Sequence, residues 1–265
     1  MEHLFKAWPE FIKDVKAAHV LLLADYDGTL TPIASRPVEA ILSVSVREKL
    51  ATLAQRASFS VGVISGRAIE ELKAMVGIKG IYYAGNHGLE IEGPGLRYVN
   101  PAAAAGRDII KGLAGRLAAE LDKIQGVIIQ DKDLSISVHY RLVTKGEVGR
   151  VGEVVKRVTA AMRKRGKIVL SPGKKVWEIK PPVDWDKGKA VETIANSIKT
   201  KLKLERLLTL FLGDDVTDED AFKVIQRPEG WGVYVGPENA PSAAGYCLDS
   251  PAEVEDLLDR LIEIR

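Results

Sequence analysis

Val20-Leu21-Leu22-Leu23-Ala24-Asp25-Tyr26-Asp27-Gly28-Thr29 decides how this chain reads. Five apolar residues run without alternation and stop at a polar turn. A short unbroken apolar run of this kind suits a strand covered on both faces, as in a parallel sheet. The same pattern recurs on the carboxyl side. Residues 60–64 end at Ser65-Gly66-Arg67, and residues 81–84 end at Gly85-Asn86-His87-Gly88. Far downstream, residues 207–212 end at Gly213-Asp214-Asp215. Helical spacing fills the gaps, with Val46, Leu50, Leu53 and Ala54 in 45–57 and further helices at 68–76, 186–199 and 218–225. A strand at 232–235 and an amphipathic helix at 253–264 close the chain. In open parallel sheets, ligands sit at the carboxyl ends of strands, where each of these polar turns falls.

The middle of the chain has another rhythm. Residues 108–124 and 148–164 read as helices. Each precedes two strands, 127–130 and 134–140 around Asp131-Lys132-Asp133, then 168–170 and 175–179 around Ser171-Pro172-Gly173. Two helices on an antiparallel sheet form an α+β module. The architecture expected is an α/β, Rossmann-like parallel core over 1–98 and 183–265, with an α+β domain over 99–182 inserted into it.

The 265 residues carry 38 Lys+Arg against 36 Asp+Glu, which argues against a nucleic-acid binder. Cys247 is the only cysteine, so neither an internal disulfide nor a cysteine metal site is available. Apolar runs fall far short of the roughly 20 residues of a membrane span. Residues 1–16 read as an amphipathic helix rather than a secretory signal. The expected setting is cytoplasmic.

Two carboxylates at i and i+2, Asp25 and Asp27, repel each other when a turn brings them together, and a divalent cation relieves that cost. Solvated turn aspartates are the alternative reading. Asp218 is explained equally well as a helix cap, whereas the adjacent Asp214 and Asp215 at a strand end are not. Ser65-Gly66-Arg67 before a helix suits a phosphate or a plain N-cap. Lys187 and Lys189 sit near a helix start, against the macrodipole, which points to an anionic partner or to solvated lysines.

Taken in order, Asp25-x-Asp27-Gly28-Thr29, Ser65, Lys187 and Gly213-Asp214-Asp215-x-x-Asp218 resemble the haloacid dehalogenase phosphatase superfamily, whose larger caps are inserted where 99–182 lies. Gly85-Asn86-His87-Gly88-Leu89-Glu90, Ser137-Val138-His139-Tyr140-Arg141 and Trp177-Glu178-Ile179-Lys180-Pro181 narrow the resemblance to the trehalose-6-phosphate phosphatase family, over about residues 20–250. That family often has Ser at Asn86 and Arg at Lys180. The resemblance implies that Asp25 is a nucleophile forming an aspartyl phosphate, and that Asp27 is the acid and base. It implies Mg²⁺ on Asp25, the Asp27 carbonyl and Asp214, with Asp215 and Asp218 bound directly or in support. Thr29, Ser65 and Lys187 would hold phosphoryl oxygens. Glu178 leads the sugar-binding candidates, with Lys174, Lys175, Arg141 and His139 behind it; Arg67, Asn86 and His87 come from the core. Trp177 and Trp185 read as packing or stacking residues. Pro181-Pro182 and Gly93-Pro94-Gly95 are candidate hinges. The substrate implied is a small sugar phosphate, with functional coupling to a trehalose-phosphate synthase. Mannosyl-3-phosphoglycerate or sucrose 6-phosphate hydrolysis, a phosphomutase and a non-catalytic sugar-phosphate sensor are the alternatives.

Overall fold

The structure is a computed structural model and describes residues 1–225 and 228–264. The chain begins with β1 (Glu2–His3), α1 (Trp8–Lys16), β2 (His19–Asp25), α2 (Val44–Ala54) and β3 (Phe59–Ile64). It continues through α3 (Ile69–Val76), β4 (Tyr82–Gly85), β5 (Glu90–Gly93) and β6 (Leu96–Val99). Next come α4 (Pro101–Ala104), α5 (Arg107–Leu121), β7 (Ile128–Asp131), β8 (Ile136–His139), α6 (Val148–Lys164), β9 (Val169–Gly173) and β10 (Val176–Lys180). The last stretch holds α7 (Lys187–Leu202), β11 (Leu207–Gly213), α8 (Glu219–Val224), β12 (Gly230–Val235), β13 (Tyr246–Leu248) and α9 (Pro251–Glu263). Two compact units result: Met1–Tyr98 with Trp185–Arg265, and Val99–Asp184.

The first unit is built on a nine-stranded sheet in the order β1-β13-β12-β11-β2-β3-β4-β5-β6. The ladders from β1 to β4 are parallel, and β5 turns antiparallel to β4. β2 lies near the middle with all but its first residue buried. Val20, Leu22 and Ala24 enter one core with α1, α2, α3 and α9, and Leu21 and Leu23 enter a second with α7 and α8. Burial on both faces explains the absence of alternation in this strand.

In the second unit, a four-stranded antiparallel sheet in the order β7-β8-β10-β9 packs Ile136, Val138 and Ile179 against Ile110, Leu117, Val151 and Val155 of α5 and α6. Pairing sets Gln130 opposite Ser137, Ser137 opposite Glu178, and Glu178 opposite Ser171. Paired residues share a face of the sheet, so these four form a polar row across it.

Local differences from the sequence reading have physical causes. The first helix starts at Trp8 rather than spanning 1–16, because Pro9 lacks an N–H and belongs in a first turn. β5, β6 and β13 are only three or four residues long and left no pattern. Gly93-Pro94-Gly95 ends β5 and turns into β6, inside the first unit. Ser171-Pro172-Gly173 is strand rather than turn, since β9 is a sheet edge where proline costs little. The turn follows at Lys174-Lys175, where Lys175 takes φ 67°. Tyr98 and Trp185, at which the chain leaves and re-enters the first unit, stack at 4.9 Å.

Candidate active site

Parallel register brings the polar strand ends together. Ala24 is level with Leu212 and Asp25 with Ile64, while Ile64 is level with Ala84. Asp25, Ser65, Gly85 and Gly213 therefore crowd one edge of the sheet. Gly28 lets the loop after β2 close over this edge. Its φ is +96°, and a side chain there would run into the Asp214 carboxylate.

The charges are buried and interlocked. Lys187 Nζ donates to Asp25 Oδ1 and to Asp218 Oδ1, each at 2.6 Å. Asp25 is 6% exposed, Lys187 2% and Asp218 0%. Asp218 Oδ2 accepts from the backbone N–H groups of Asp214 at 3.1 Å and Asp215 at 3.0 Å, which shapes the loop after β11. Thr29 Oγ1 donates to Asp214 at 3.2 Å. Asp186 caps α7 by accepting from Lys189 N–H at 2.9 Å, so Lys187 enters the cluster as the first helical residue. The carboxylates repay what a lysine loses at a helix start. Burial opposes its charge, but Asp218 and Asp25 outweigh that and hold it more firmly protonated than usual. Burial pushes the Asp25 carboxyl well up, and Lys187 opposes this. Asp214 is pushed up to about 6, by burial first and by Asp218 next.

Asp25, Asp214 and Asp218 each offer an oxygen within 4.8 Å of the others. One lysine among three carboxylates, two of them buried and the third half-buried, leaves negative charge uncompensated, and hard oxygen donors suit a small divalent cation. The donor set fits such an ion, which would offset both the burial that chiefly raises the Asp214 pKa and the repulsion from Asp218 that adds to it. His3, Asp249 and Glu253 also cluster. There, however, Phe5 N–H donates to His3 Nδ1 at 3.3 Å, which leaves Nε2 to carry the proton toward Glu253 at 2.9 Å. Both ring nitrogens are engaged, Nε2 tying β1 to α9 and Nδ1 accepting within the amino-terminal segment.

The loops after β3 and β4 are stitched together. Asn86 N–H donates to the Arg67 carbonyl at 2.7 Å and His87 N–H to the Ser65 carbonyl at 2.9 Å. Asn86 and His87 take φ 51° and 57° to do so. Gly66 is required for this fit, because a Cβ there would lie 2.6 Å from the His87 ring. Asn86 Nδ2 donates to Glu90 at 2.9 Å. Ser65 Oγ accepts from Arg67 N–H at 3.2 Å. Arg67 does not stand as an open anion site: its guanidinium grips Asp27 at 2.7 and 2.6 Å.

In the second unit, Ser137 Oγ donates to Glu178 Oε1 at 2.6 Å, and Lys132 Nζ lies 3.8 Å from the same oxygen. His139 Nε2 meets Gln130 Oε1 at 2.7 Å. Lys132 is 6% exposed. It escaped the sequence reading because Asp131-Lys132-Asp133 looks like a solvated turn. Arg141 is exposed and donates to the Lys174 carbonyl at 3.3 Å, and Lys174 and Lys175 are exposed at the turn.

A family model described as trehalose-phosphatase matches residues 23–252. The chain is 34% identical to the probable trehalose-phosphate phosphatase D of Arabidopsis thaliana, across 96% of this chain and 70% of that protein. It is 38% identical to the trehalose-phosphate phosphatase of Mycobacterium tuberculosis, across 89% of this chain and 60% of that protein. Its fold superposes on the C-terminal domain of the Candida albicans trehalose-6-phosphate phosphatase with a TM-score of 0.79, at 25% identity and 97% coverage of both chains.

Proposed function

This chain belongs to the trehalose-phosphatase family of phosphoric monoester hydrolases, and on that premise we propose how its residues release phosphate from trehalose 6-phosphate. An Asp25 oxygen attacks phosphorus, the bond from phosphorus to the sugar oxygen breaks, and its electron pair leaves with that oxygen. Asp27 supplies the proton the departing oxygen needs. Water then attacks the aspartyl phosphate, Asp27 takes the water's proton, and the electron pair returns to Asp25. Acid–base assistance of this kind contributes about 10²–10⁴-fold. Mg²⁺ held by Asp25, the Asp27 carbonyl and Asp214, with Asp215 and Asp218 around it, would neutralise phosphoryl charge. Lys187 has a third N–H beyond its two aspartate bonds for a phosphoryl oxygen, and Ser65 and Thr29 offer hydroxyls beside it.

The observation that carries this reading is Lys187, buried between Asp25 and Asp218. Its charge opposes the burial that pushes the Asp25 carboxyl up, and so favours the ionised form that a nucleophile requires. Glu178, with Lys132 and Ser137 around it, forms the sugar-recognition cluster, and Arg141 and Lys174 contribute at its margins; Asn86 and His87 are the substrate-binding residues of the first unit. The second unit serves as a cap domain, with Pro181-Pro182 as its hinge. The substrate is supplied by a trehalose-phosphate synthase, with which the chain is functionally coupled. The single, buried Cys247 suits a reducing cytoplasm, where we place the reaction.

The test is phosphate release from trehalose 6-phosphate, sucrose 6-phosphate, mannosyl-3-phosphoglycerate and glucose 6-phosphate, with Mg²⁺ and with excess chelator. The expected result is a Mg²⁺-dependent kcat/KM highest for trehalose 6-phosphate. Preference for another member relocates the substrate, and release that persists in chelator overturns the metal assignment.

A further inference from the structure

Arg67 is buried beside the polar strand ends, and its guanidinium is taken up by Asp27, Glu71 and the Pro37 carbonyl. Resting on the assignment of Asp27 as acid and base, we infer that Arg67 is not a substrate ligand but the positioning residue for the Asp27 carboxylate.

The guanidinium is nearly saturated. Nε donates to Asp27 Oδ2 at 2.7 Å, and Nη2 donates to Asp27 Oδ1 at 2.6 Å and to the Pro37 carbonyl at 2.7 Å. Nη1 donates to Glu71 Oε1 at 2.5 Å. An arginine has five N–H donors, so one remains for anything else. The residue as a whole is 6% exposed, and the Tyr26 ring lies 5.3 Å from its guanidinium carbon. Tyr26 is itself pinned by its hydroxyl to the Ala40 carbonyl at 2.9 Å. Each anchor comes from a separate stretch of chain: the loop after β2, the first turn of α3, and the turn carrying Pro37. A fork this constrained defines the plane of the carboxylate it grips.

The grip leaves Asp27 able to work. Each carboxylate oxygen has two lone-pair sites, and the fork occupies one on each. The Asp27 side chain is 38% exposed against 7% for Arg67, so the acid is reachable and the arginine is not. Without the fork, the short Asp27 side chain would swing between rotamers, and a proton donor held loosely loses much of its effectiveness.

The experiment compares two leaving groups in kcat/KM, which reports the first phosphoryl transfer. A sugar alkoxide needs a proton as it departs, whereas 4-nitrophenolate does not. Arg67→Ala, Arg67→Lys and Asp27→Asn are assayed on trehalose 6-phosphate and on 4-nitrophenyl phosphate, with folding checked by thermal melting. Arg67→Ala is expected to lose about 100-fold or more on the sugar phosphate and less than about 10-fold on the nitrophenyl ester, the signature of lost acid assistance. Added guanidinium should restore part of the sugar-phosphate activity of Arg67→Ala, and Arg67→Lys should lie between it and wild type. Asp27→Asn should show the same selectivity. If Asp27→Asn shows it and Arg67→Ala loses both substrates equally, or loses them through KM alone, the positioning role is overturned and Arg67 binds substrate. If Asp27→Asn itself shows no selectivity, the acid assignment fails and the inference falls with it.

Discussion

The carboxyl edge of the first unit's sheet and the polar row of the second unit's sheet are built on opposite principles. At the first, Asp25, Lys187 and Asp218 are almost wholly buried, and Lys187 serves two carboxylates at once. At the second, Glu178 is only half-buried, with Ser137 and Lys132 beside it. Dense buried charge is costly to assemble and strong once assembled, because little water screens it. A half-buried carboxylate between hydroxyl and ammonium groups binds more weakly but discriminates among hydroxyl-bearing partners. The first arrangement suits bond breaking, and the second suits choosing whose bond is broken.

Substitution should separate the two. Asp25→Asn is expected to abolish turnover on every ester, by about 10⁴-fold or more, the scale on which the loss of a covalent nucleophile is felt. The fold should survive, because Lys187 keeps its 2.6 Å bond to Asp218. Phosphate release on trehalose 6-phosphate and 4-nitrophenyl phosphate, beside a melting curve, checks both points; residual turnover within 100-fold of wild type removes Asp25 from the nucleophile's role. Glu178→Ala should act on one substrate only. A hydrogen bond to a charged group is worth about 1.5–3 kcal/mol, which is about ten- to a hundredfold in kcat/KM. That loss belongs to trehalose 6-phosphate, while the nitrophenyl ester, having no sugar, should change less than about threefold. Equal losses on both would mean that Glu178 shapes the second unit rather than reading the sugar.

The two regions were also unequally legible in the sequence. β2, β3, β4 and β11 announce themselves because parallel strands buried on both faces must be continuously apolar, and polar residues can appear only where they end. Asp25, Ser65 and Asp214 stand at those ends, so fold and site came from one signal. The polar row gave no such signal. Ser137 alternates with apolar neighbours as any half-buried strand residue does, Gln130 ends an apolar run, and Lys132 hides between two aspartates in what resembles a turn. Pairings between distant residues were invisible altogether. Arg67 lies 40 positions from Asp27, and nothing in Ser65-Gly66-Arg67 distinguishes a fork aimed at a phosphate from one aimed at a carboxylate. β5 and β13 escaped for a simpler reason, since three or four residues are too few to show a period.

The smallest effect expected is also confined to the first region. Asp214 has its pKa pushed from 3.8 to about 6. In the cation-free protein, the folded chain therefore holds a proton between these values that the unfolded chain has released. Asp214's contribution to stability is fully present below about pH 4 and is lost as pH rises through about 6. A divalent cation competes for the same oxygens and favours the ionised form, so saturating Mg²⁺ should flatten or reverse that trend. Its apparent affinity should fall as pH drops below about 6, approaching tenfold per pH unit if one proton is displaced. Melting curves across this range, with Mg²⁺ and with chelator, read both effects, and Asp214→Asn should remove most of the difference. A cation-free melting temperature that, measured relative to Asp214→Asn, fails to fall from pH 4 to 6 would mean that Lys187 neutralises the cluster by itself, and the case for a cation at this edge of the sheet would lose its electrostatic ground.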